Sequence, residues 1–319
     1  MQIRILSASD VRTALPMPQA IEAMRVAFGQ LSASQATMPL RGQVRTEAGV
    51  TLLMPAYLHQ SKSLGIKIAS VYSKNPEQGL PMIAATVLIL SPETGFPLAL
   101  MDGTSLTGIR TGAGGGLAAD LLAQPESTVV GLFGAGVQAR AQLEAVLAVR
   151  SIRRVNLLSR TKESAQKLAD EIAGWPEAPE VVLTDSPRET INEADIIIGA
   201  TTSTTPLFDG NDLKPGAHVT GVGSFTPQMQ EIDPVTVERA RIVVDSREAC
   251  LAEAGDLIIP GAKIDAELGE IVNGNQPSRQ SATEITFFKS VGVAVQDAAA
   301  GAAVLAAAEA QGLGMVVDL

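Results

Sequence analysis

Two sets of residues combine type and spacing in ways that fit chemistry. The first lies in "VVGLFGAGVQAR", residues 129–140, where an apolar run stops on Gly134 and Gly136, with Ala139 in the third place of G-x-G-x-x-A. The helix-compatible "AQLEAVLAVR" follows. A loop after the first strand of a parallel sheet must turn tightly and let an anion approach its backbone. Glycine has no Cβ to obstruct this, and a helix N-terminus offers unpaired N–H groups. With a β-like run before it and a helix after it, the motif reads as a seat for a dinucleotide pyrophosphate; the alternative is a glycine-rich turn with no ligand. The next strand end, "NLLSRTKES", lacks the carboxylate that would take a ribose 2′-OH. It offers Ser159, Arg160, Thr161 and Lys162, and a guanidinium with hydroxyls suits a 2′-phosphate. NADPH is therefore the expected cofactor, with NADH usable, unless this stretch is only a solvated turn.

The second set is cationic: Arg41 in "MPLRGQ", Lys67 in "GIKIAS" and Arg110 in "TGIRTG". Positive side chains are what a small substrate's carboxylate requires. Lys67 is flanked by apolar residues in a β-like run, where an unpaired ammonium is expensive, so it is either a ligand for an anion or an edge-strand lysine with its head in water. Arg110 precedes "TGAGGG" at the expected junction of two domains, where ligands commonly sit. Arg45 is a weaker candidate that faces solvent.

These residues must be held by elements that the chain announces in two rhythms. "SASDVRTALPMPQAIEAMRVAFGQLSA" holds two helix starts. Ser9 or Asp10 caps the first, and Pro16 and Pro18 precede the second, whose Ile21, Met24, Ala27 and Phe28 share a face. Short β-like runs follow, "GVTLLMPAYL", "LGIKIASVYS", "MIAATVLILS" and "FPLALMD", separated by turn signals such as "SKNPEQGLP" and "SPETGFP". Strands without intervening helices predict a mixed or antiparallel sheet in an α+β unit. After "TGAGGGLAADLLA" strands and helices alternate, from "STVVGLFG" through "RRVNLLSR", "EVVLTD", "DIIIGAT" and "HVTGVGS" to "RIVVDS". That alternation predicts an α/β Rossmann-type doubly wound parallel sheet. The tail, "SVGVAVQDAAAGAAVLAAAEAQGLG", is a small-residue helix able to pack closely, including back against the first unit. The expected division is one domain over 1–112 and 293–319, and a dinucleotide-binding domain over 113–292.

Composition sets the outer bounds. The 319 residues are 46% hydrophobic and carry a net charge of −10, with no Lys/Arg block, which argues against a nucleic-acid surface. One cysteine, Cys250, rules out a disulfide framework and fits a reducing compartment; it reads as a packing residue. No stretch of about 18 apolar residues is unbroken, so no membrane span is expected and the protein reads as cytoplasmic. His59 has no partner nearby in sequence, and no cluster has metal-ligand spacing, so no metal is expected.

The segment "ILSPETGFPLALMDGTSLTGIRTGAGGGLAADLLA", followed by "GLFGAGVQARAQLEAV", closely resembles the ornithine cyclodeaminase/mu-crystallin family. The likeness continues through "GSFTPQMQEID" to "SVGVAVQDAAAG". The resemblance implies that the N-terminal unit binds substrate and forms a homodimer, that the last helix returns to it, and that Arg41, Lys67 and Arg110 hold the carboxylate of a small imino acid. Expected cofactor contacts are Thr111, Gly134, Ala135, Gly136, Val137 and Gln138, then Ser159 to Lys162, Ala200, Thr201, Thr202, Val222, Gly223, Ser290 and Gly292. Family cyclodeaminases carry an aspartate where this chain has Ser224 in "GVGSFTPQ". A neutral hydroxyl cannot act as a carboxylate base. Ser224 is then either an ordinary loop hydroxyl or, with Thr226, a group that bonds the ring nitrogen or relays a proton. The expected activity is NAD(P)H-dependent reduction of cyclic ketimines, Δ1-pyrroline-2-carboxylate to L-proline in proline metabolism, with Δ1-piperideine-2-carboxylate second; Lys67, Arg110 and Ser224 are its catalytic candidates. The alternatives are an ornithine cyclodeaminase with resident NAD, reductive amination of the alanine dehydrogenase type, and a non-catalytic NADPH-binding protein. Asp297 matches a family position near the nicotinamide, or simply interacts with its helix dipole. Glu284 with Ser281 reads as a capping box, and Asp102 as an anchor for the loop before Arg110; both are structural assignments.

Overall fold

A computed structural model describes residues 2–318, and the chain divides into two compact units. One comprises the residues up to Arg110 together with those from Val293 onward; the other is Thr111–Gly292.

The first unit starts with β1 (Gln2–Leu6), α1 (Ala8–Ala14) and α2 (Met17–Ser32). Ser7, not Ser9 or Asp10, caps α1. Its hydroxyl accepts the Asp10 N–H while the Asp10 carboxylate accepts the Ser7 N–H, so Asp10 is the reciprocating third residue of a capping box. Pro18 lies inside the first turn of α2 rather than before it, where its missing N–H has no helical partner to lose. Ile21, Met24, Ala27 and Phe28 form the buried side of α2. Then come β2 (Ala36–Thr37), β3 (Gly42–Arg45), β4 (Val50–Leu58), β5 (Ser63–Val71), β6 (Ile83–Leu90) and β7 (Pro97–Asp102).

No loop leads from β7 to Arg110. Residues 103–122 form one helix, α3 (Gly103–Leu122), and Asp102 accepts the Ser105 N–H in its first turn. The glycines of "TGAGGG" hid this helix, because glycine is a poor helix former. They are there for contact: a Cβ at Gly112 would collide with the Ala141 carbonyl, and one at Gly115 with the Gln142 side chain.

The second unit follows the alternating rhythm. In chain order it contains β8 (Val129–Phe133), α4 (Val137–Val149), β9 (Arg154–Leu158), α5 (Lys162–Ile172), β10 (Glu180–Leu183), α6 (Pro187–Ile191), β11 (Ile196–Gly199) and β12 (His218–Gly221). It continues with α7 (Pro234–Arg239), β13 (Ala240–Val244), α8 (Arg247–Glu253), α9 (Gly255–Ile258), β14 (Ala266–Glu267), α10 (Leu268–Val272) and β15 (Ile285–Lys289). The strands pair in the order β10-β9-β8-β11-β12-β15-β13-β14, every pair parallel. Chain order reverses between β8 and β11, the switch point of a doubly wound sheet. Strand β15 was hidden behind the apparent helix start. Ser281 does accept the Glu284 N–H, but the residues beyond it pair with β12 and β13 instead of coiling.

The closing segment, α11 (Ala294–Gln311) and β16 (Met315–Asp318), belongs to the first unit. Its sheet runs β16-β1-β7-β6-β5-β4-β2, with β3 beside β4; β1 is parallel to β7 and the other pairs are antiparallel. Helix α11 lies against the face that presents Ser63, Gly65, Lys67 and Ala69 of β5. Gly65 meets Ala298, and Gly301 meets Ile89, so both close approaches depend on a missing side chain. The opposite face carries Leu53, Ile66, Ile68, Leu88, Leu98 and Leu100, of which Leu53, Ile68 and Leu98 are exposed.

Phe287, fully buried on β15, anchors the second unit's core with Ile242, Val219 and Ile232. Phe287→Ala is expected to lower the unfolding free energy by about 3–5 kcal/mol, read as the shift of a urea unfolding midpoint at unchanged slope.

Candidate active site

In the first unit, β5 turns Lys67 onto the face covered by α11, where water cannot reach its ammonium: the residue is 3% exposed. Its Nζ lies 2.7 Å from Oδ2 of Asp297, in the first turn of α11. The other oxygen of that carboxylate accepts a 3.1 Å hydrogen bond from Nε of Arg110 on α3, and Nη1 of Arg110 donates to Oε1 of Gln296 at 2.8 Å. Gln296 is fixed in turn by the Val293 N–H. Asp297 therefore ties two buried cations together rather than merely facing a helix dipole. One carboxylate does not neutralise two cations, and Arg41 adds a third positive charge close enough to act on Lys67. An ammonium has three donors, of which Lys67 uses one, and Nη2 of Arg110 makes no hydrogen bond among the described residues. The cluster thus keeps positive charge and spare donors for an anion. Burial, followed by the neighbouring Arg110, lowers the Lys67 pKa to about 8. Arg45 is exposed, bonded to Gln43, and takes no part. His59 is exposed beside Thr37.

In the second unit, the expected dinucleotide contacts gather at the carboxyl ends of adjacent parallel strands. Gly134 to Gln138 follow β8, Ser159 to Lys162 follow β9, Ala200 to Thr202 follow β11, Val222 and Gly223 follow β12, and Ser290 and Gly292 follow β15. Gly134 has φ 102°, and a Cβ there would press on the Ala200 carbonyl. Gly136 is the N-cap of α4, makes no side-chain cap, and has nothing within 4 Å of where a Cβ would sit. Oε1 of Gln138, in the first turn, is buried without a hydrogen-bond partner. Open space and uncapped amides at a helix start fit an oxygen-rich anionic ligand such as a pyrophosphate, while the unpaired Gln138 oxygen, an acceptor, is suited to a donor group. After β9, Ser159 and Thr161 both bond the Ser164 hydroxyl and Lys162 pairs with Asp185 at 2.6 Å, whereas Arg160 is exposed and makes no hydrogen bond or ion pair among the described residues. Thr111 lies on α3, and its carbonyl accepts from Gln142.

Ser224 is fully buried, and its hydroxyl is committed: it donates to the Met229 carbonyl at 2.7 Å and accepts the Asp256 N–H. In this geometry it braces its own loop. Asp256 also accepts the N–H groups of Glu231 and Ile232 and meets Nζ of Lys289 at 2.9 Å. Glu231, Asp256 and Lys289 are not marked as site residues by the sequence, which leaves Asp297 between two readings. Asp256, Lys289 and Asp297 are each a lone charge inside an apolar run ("AGDLII", "TFFKS", "AVQDAAAG"), the signal that marks a buried, partnered ion, whereas Glu231 stands among polar neighbours in "QMQEID" and carries no such signal.

The second unit's sheet and glycine turn place the chain in the doubly wound nucleotide-binding class. It belongs to the ornithine cyclodeaminase/mu-crystallin family, whose model matches residues 1–312. It is 38% identical to a Δ1-pyrroline-2-carboxylate reductase of Bacillus cereus over 98% of this chain and 99% of that one. It is also similar to the Thermococcus litoralis Δ1-pyrroline-2-carboxylate reductase solved with NADH and L-proline, at TM-score 0.93 and 39% identity, covering 98% and 99% of the two chains. An archaeal alanine dehydrogenase dimer with bound NAD matches at TM-score 0.92 and 31% identity over the whole of both chains.

Asp297→Asn strands two buried cations and is expected to destabilise the fold by about 3 kcal/mol, whereas adding Lys67→Met to it restores much of that loss. Urea unfolding of both variants checks this.

Proposed function

We propose that the chain reduces a cyclic imino acid, Δ1-pyrroline-2-carboxylate to L-proline, with Δ1-piperideine-2-carboxylate as the second substrate, consuming NAD(P)H. The observation that carries this reading is the buried Lys67–Asp297–Arg110 cluster, which retains net positive charge and unused donors beside Arg41. Such a group grips a carboxylate and fixes the carbon next to it.

A bound reduced nicotinamide supplies a hydride to the C=N carbon. The protein's share is position. The ring nitrogen of a pyrroline carries its proton in the iminium form, so hydride and iminium give the secondary amine with atoms and charge in balance, and no acid from the chain is required. Asp297 keeps Lys67 and Arg110 in place without cancelling them. Ser224, with its hydroxyl held by the loop, serves as a brace, which accords with a reduction rather than with deamination needing a carboxylate base.

Arg160 supports a preference for NADPH, because it stands unengaged where a 2′-phosphate is placed in this fold class. Arg160→Ala is expected to raise KM for NADPH about tenfold and leave KM for NADH unchanged. The solvent-facing apolar side of the first unit's sheet supports a homodimer in which a second copy covers Leu53, Ile68 and Leu98; Ile68→Glu is expected to yield monomers by sedimentation.

The activity test follows loss of NADPH or NADH absorbance with pyrroline, piperideine, ornithine, and pyruvate with ammonia. Reduction of the pyrroline is expected, and no turnover above background ends the reading. Lys67 must be an ammonium to hold the substrate. With its pKa at about 8, kcat/KM for the imino acid stays level below that pH and falls as pH rises through it. Lys67→Met is expected to raise KM by about 10–100-fold and to remove that alkaline limb.

A further inference from the structure

The cluster at the ends of β11 and β12 contains a carboxylate that the hydride chemistry does not use. Glu231 is fully buried, and its two oxygens are divided between two loops. Oε1 accepts the Thr201 N–H at 2.5 Å and the Thr201 hydroxyl at 2.7 Å; Oε2 accepts the Gly223 N–H at 2.6 Å. Gly223 permits this only because it has no side chain, since a Cβ there would strike both Glu231 oxygens and the Thr201 carbonyl. The backbone of Glu231 is itself pinned. Asp256 accepts its N–H at 2.7 Å, and Lys289, at the end of β15, holds Asp256 at 2.9 Å.

We propose that Glu231 is a positioning residue for the dinucleotide: its ionised carboxylate clamps the loops after β11 and β12 into the form that receives the cofactor on the β11 side of the switch point. This rests on the nucleotide-binding reading above. The chemistry demands the ionised form, because three donors converge on two oxygens and a proton on either would face an N–H group. A glutamine fails for the same reason, since its amide NH₂ cannot accept. Burial raises the pKa of Glu231, and Asp256 pushes the same way, while Lys289 and the bonds from Thr201 oppose. The clamp releases as pH falls through this raised pKa.

The test titrates the protein with NADPH and, separately, with NADH and reads nicotinamide fluorescence, for wild type and Glu231→Gln. Wild type is expected to bind, and the variant to bind about tenfold more weakly, the consequence of leaving a buried donor unpaired. In steady state, KM for the cofactor rises by a similar factor while KM for the imino acid moves less than twofold. Absence of binding of both NADPH and NADH by wild type overturns the nucleotide reading itself. Equal binding by wild type and variant overturns the clamp alone. Because Glu231→Gln can fail to fold, hydrogen exchange on wild type supplies an independent arm. After correction for intrinsic rates, the Thr201 and Gly223 amides are expected to lose protection relative to Ala200, whose N–H donates to the Phe133 carbonyl, as pH is lowered until the Glu231 carboxyl protonates, followed by its side-chain 13C resonance. An unchanged ratio overturns the proposal.

Discussion

The carboxylate of Asp297 is the interaction on which the first unit depends. It sits between an ammonium and a guanidinium that β5 and α3 carry into the interior. Without it the sheet face could not bury Lys67 and Arg110 under α11, because an unpaired ion in that environment costs several kcal/mol. With it the two cations are retained in a dry setting and still outnumber their counter-ion. Packing and recognition are therefore one problem. The helix that closes the core also brings the residue that makes its charges tolerable, and low dielectric strengthens whatever attraction remains for an anion.

The second unit solves a related problem with backbone. Its strands are almost continuously apolar, as a sheet covered on both faces requires. Buried carboxylates work beyond the strand ends, where Asp245, Glu231 and Asp256 take up N–H groups that the strand ladder no longer serves. Asp245 receives the Val291 and Gly292 N–H groups and the Ser290 hydroxyl; Asp256 receives Glu231 and Ile232. Buried acceptors shape these loops, so their form depends on charges that lie out of contact with solvent.

What could be read from the sequence, and what could not, divides along physical lines. Elements with strong local periodicity were legible: helix α4 and the strands β4 to β7 follow from apolar spacing and turn residues alone. The glycine turn was legible because its steric requirement is written in residue type. Helix α3 was not, since its glycines answer to the neighbouring Ala141 and Gln142 and not to local propensity. Strand β15 was obscured because Ser281 and Glu284 form the same local bond whether a helix or a strand follows. Strands β1 and β16 are short and pair across almost the full length of the chain, which no local window contains. The cations at 41, 67 and 110 were visible as candidates, but the partnership of Lys67 and Arg110 with Asp297 is a tertiary fact, separated by up to 230 positions (297 − 67).

That separation bears on how the molecule is made. The first unit is interrupted: 182 residues (292 − 111 + 1) of the second stand between its opening stretch and α11. A ribosome releases Lys67 and Arg110 long before their counter-charge exists, and β1 waits for β16 in the same way. The inserted unit, continuous in sequence and rich in neighbouring pairings, is free to close first. Until α11 and β16 emerge, Lys67 and Arg110 lack the carboxylate that makes their burial tolerable, and the outer edge of β1 lacks its partner.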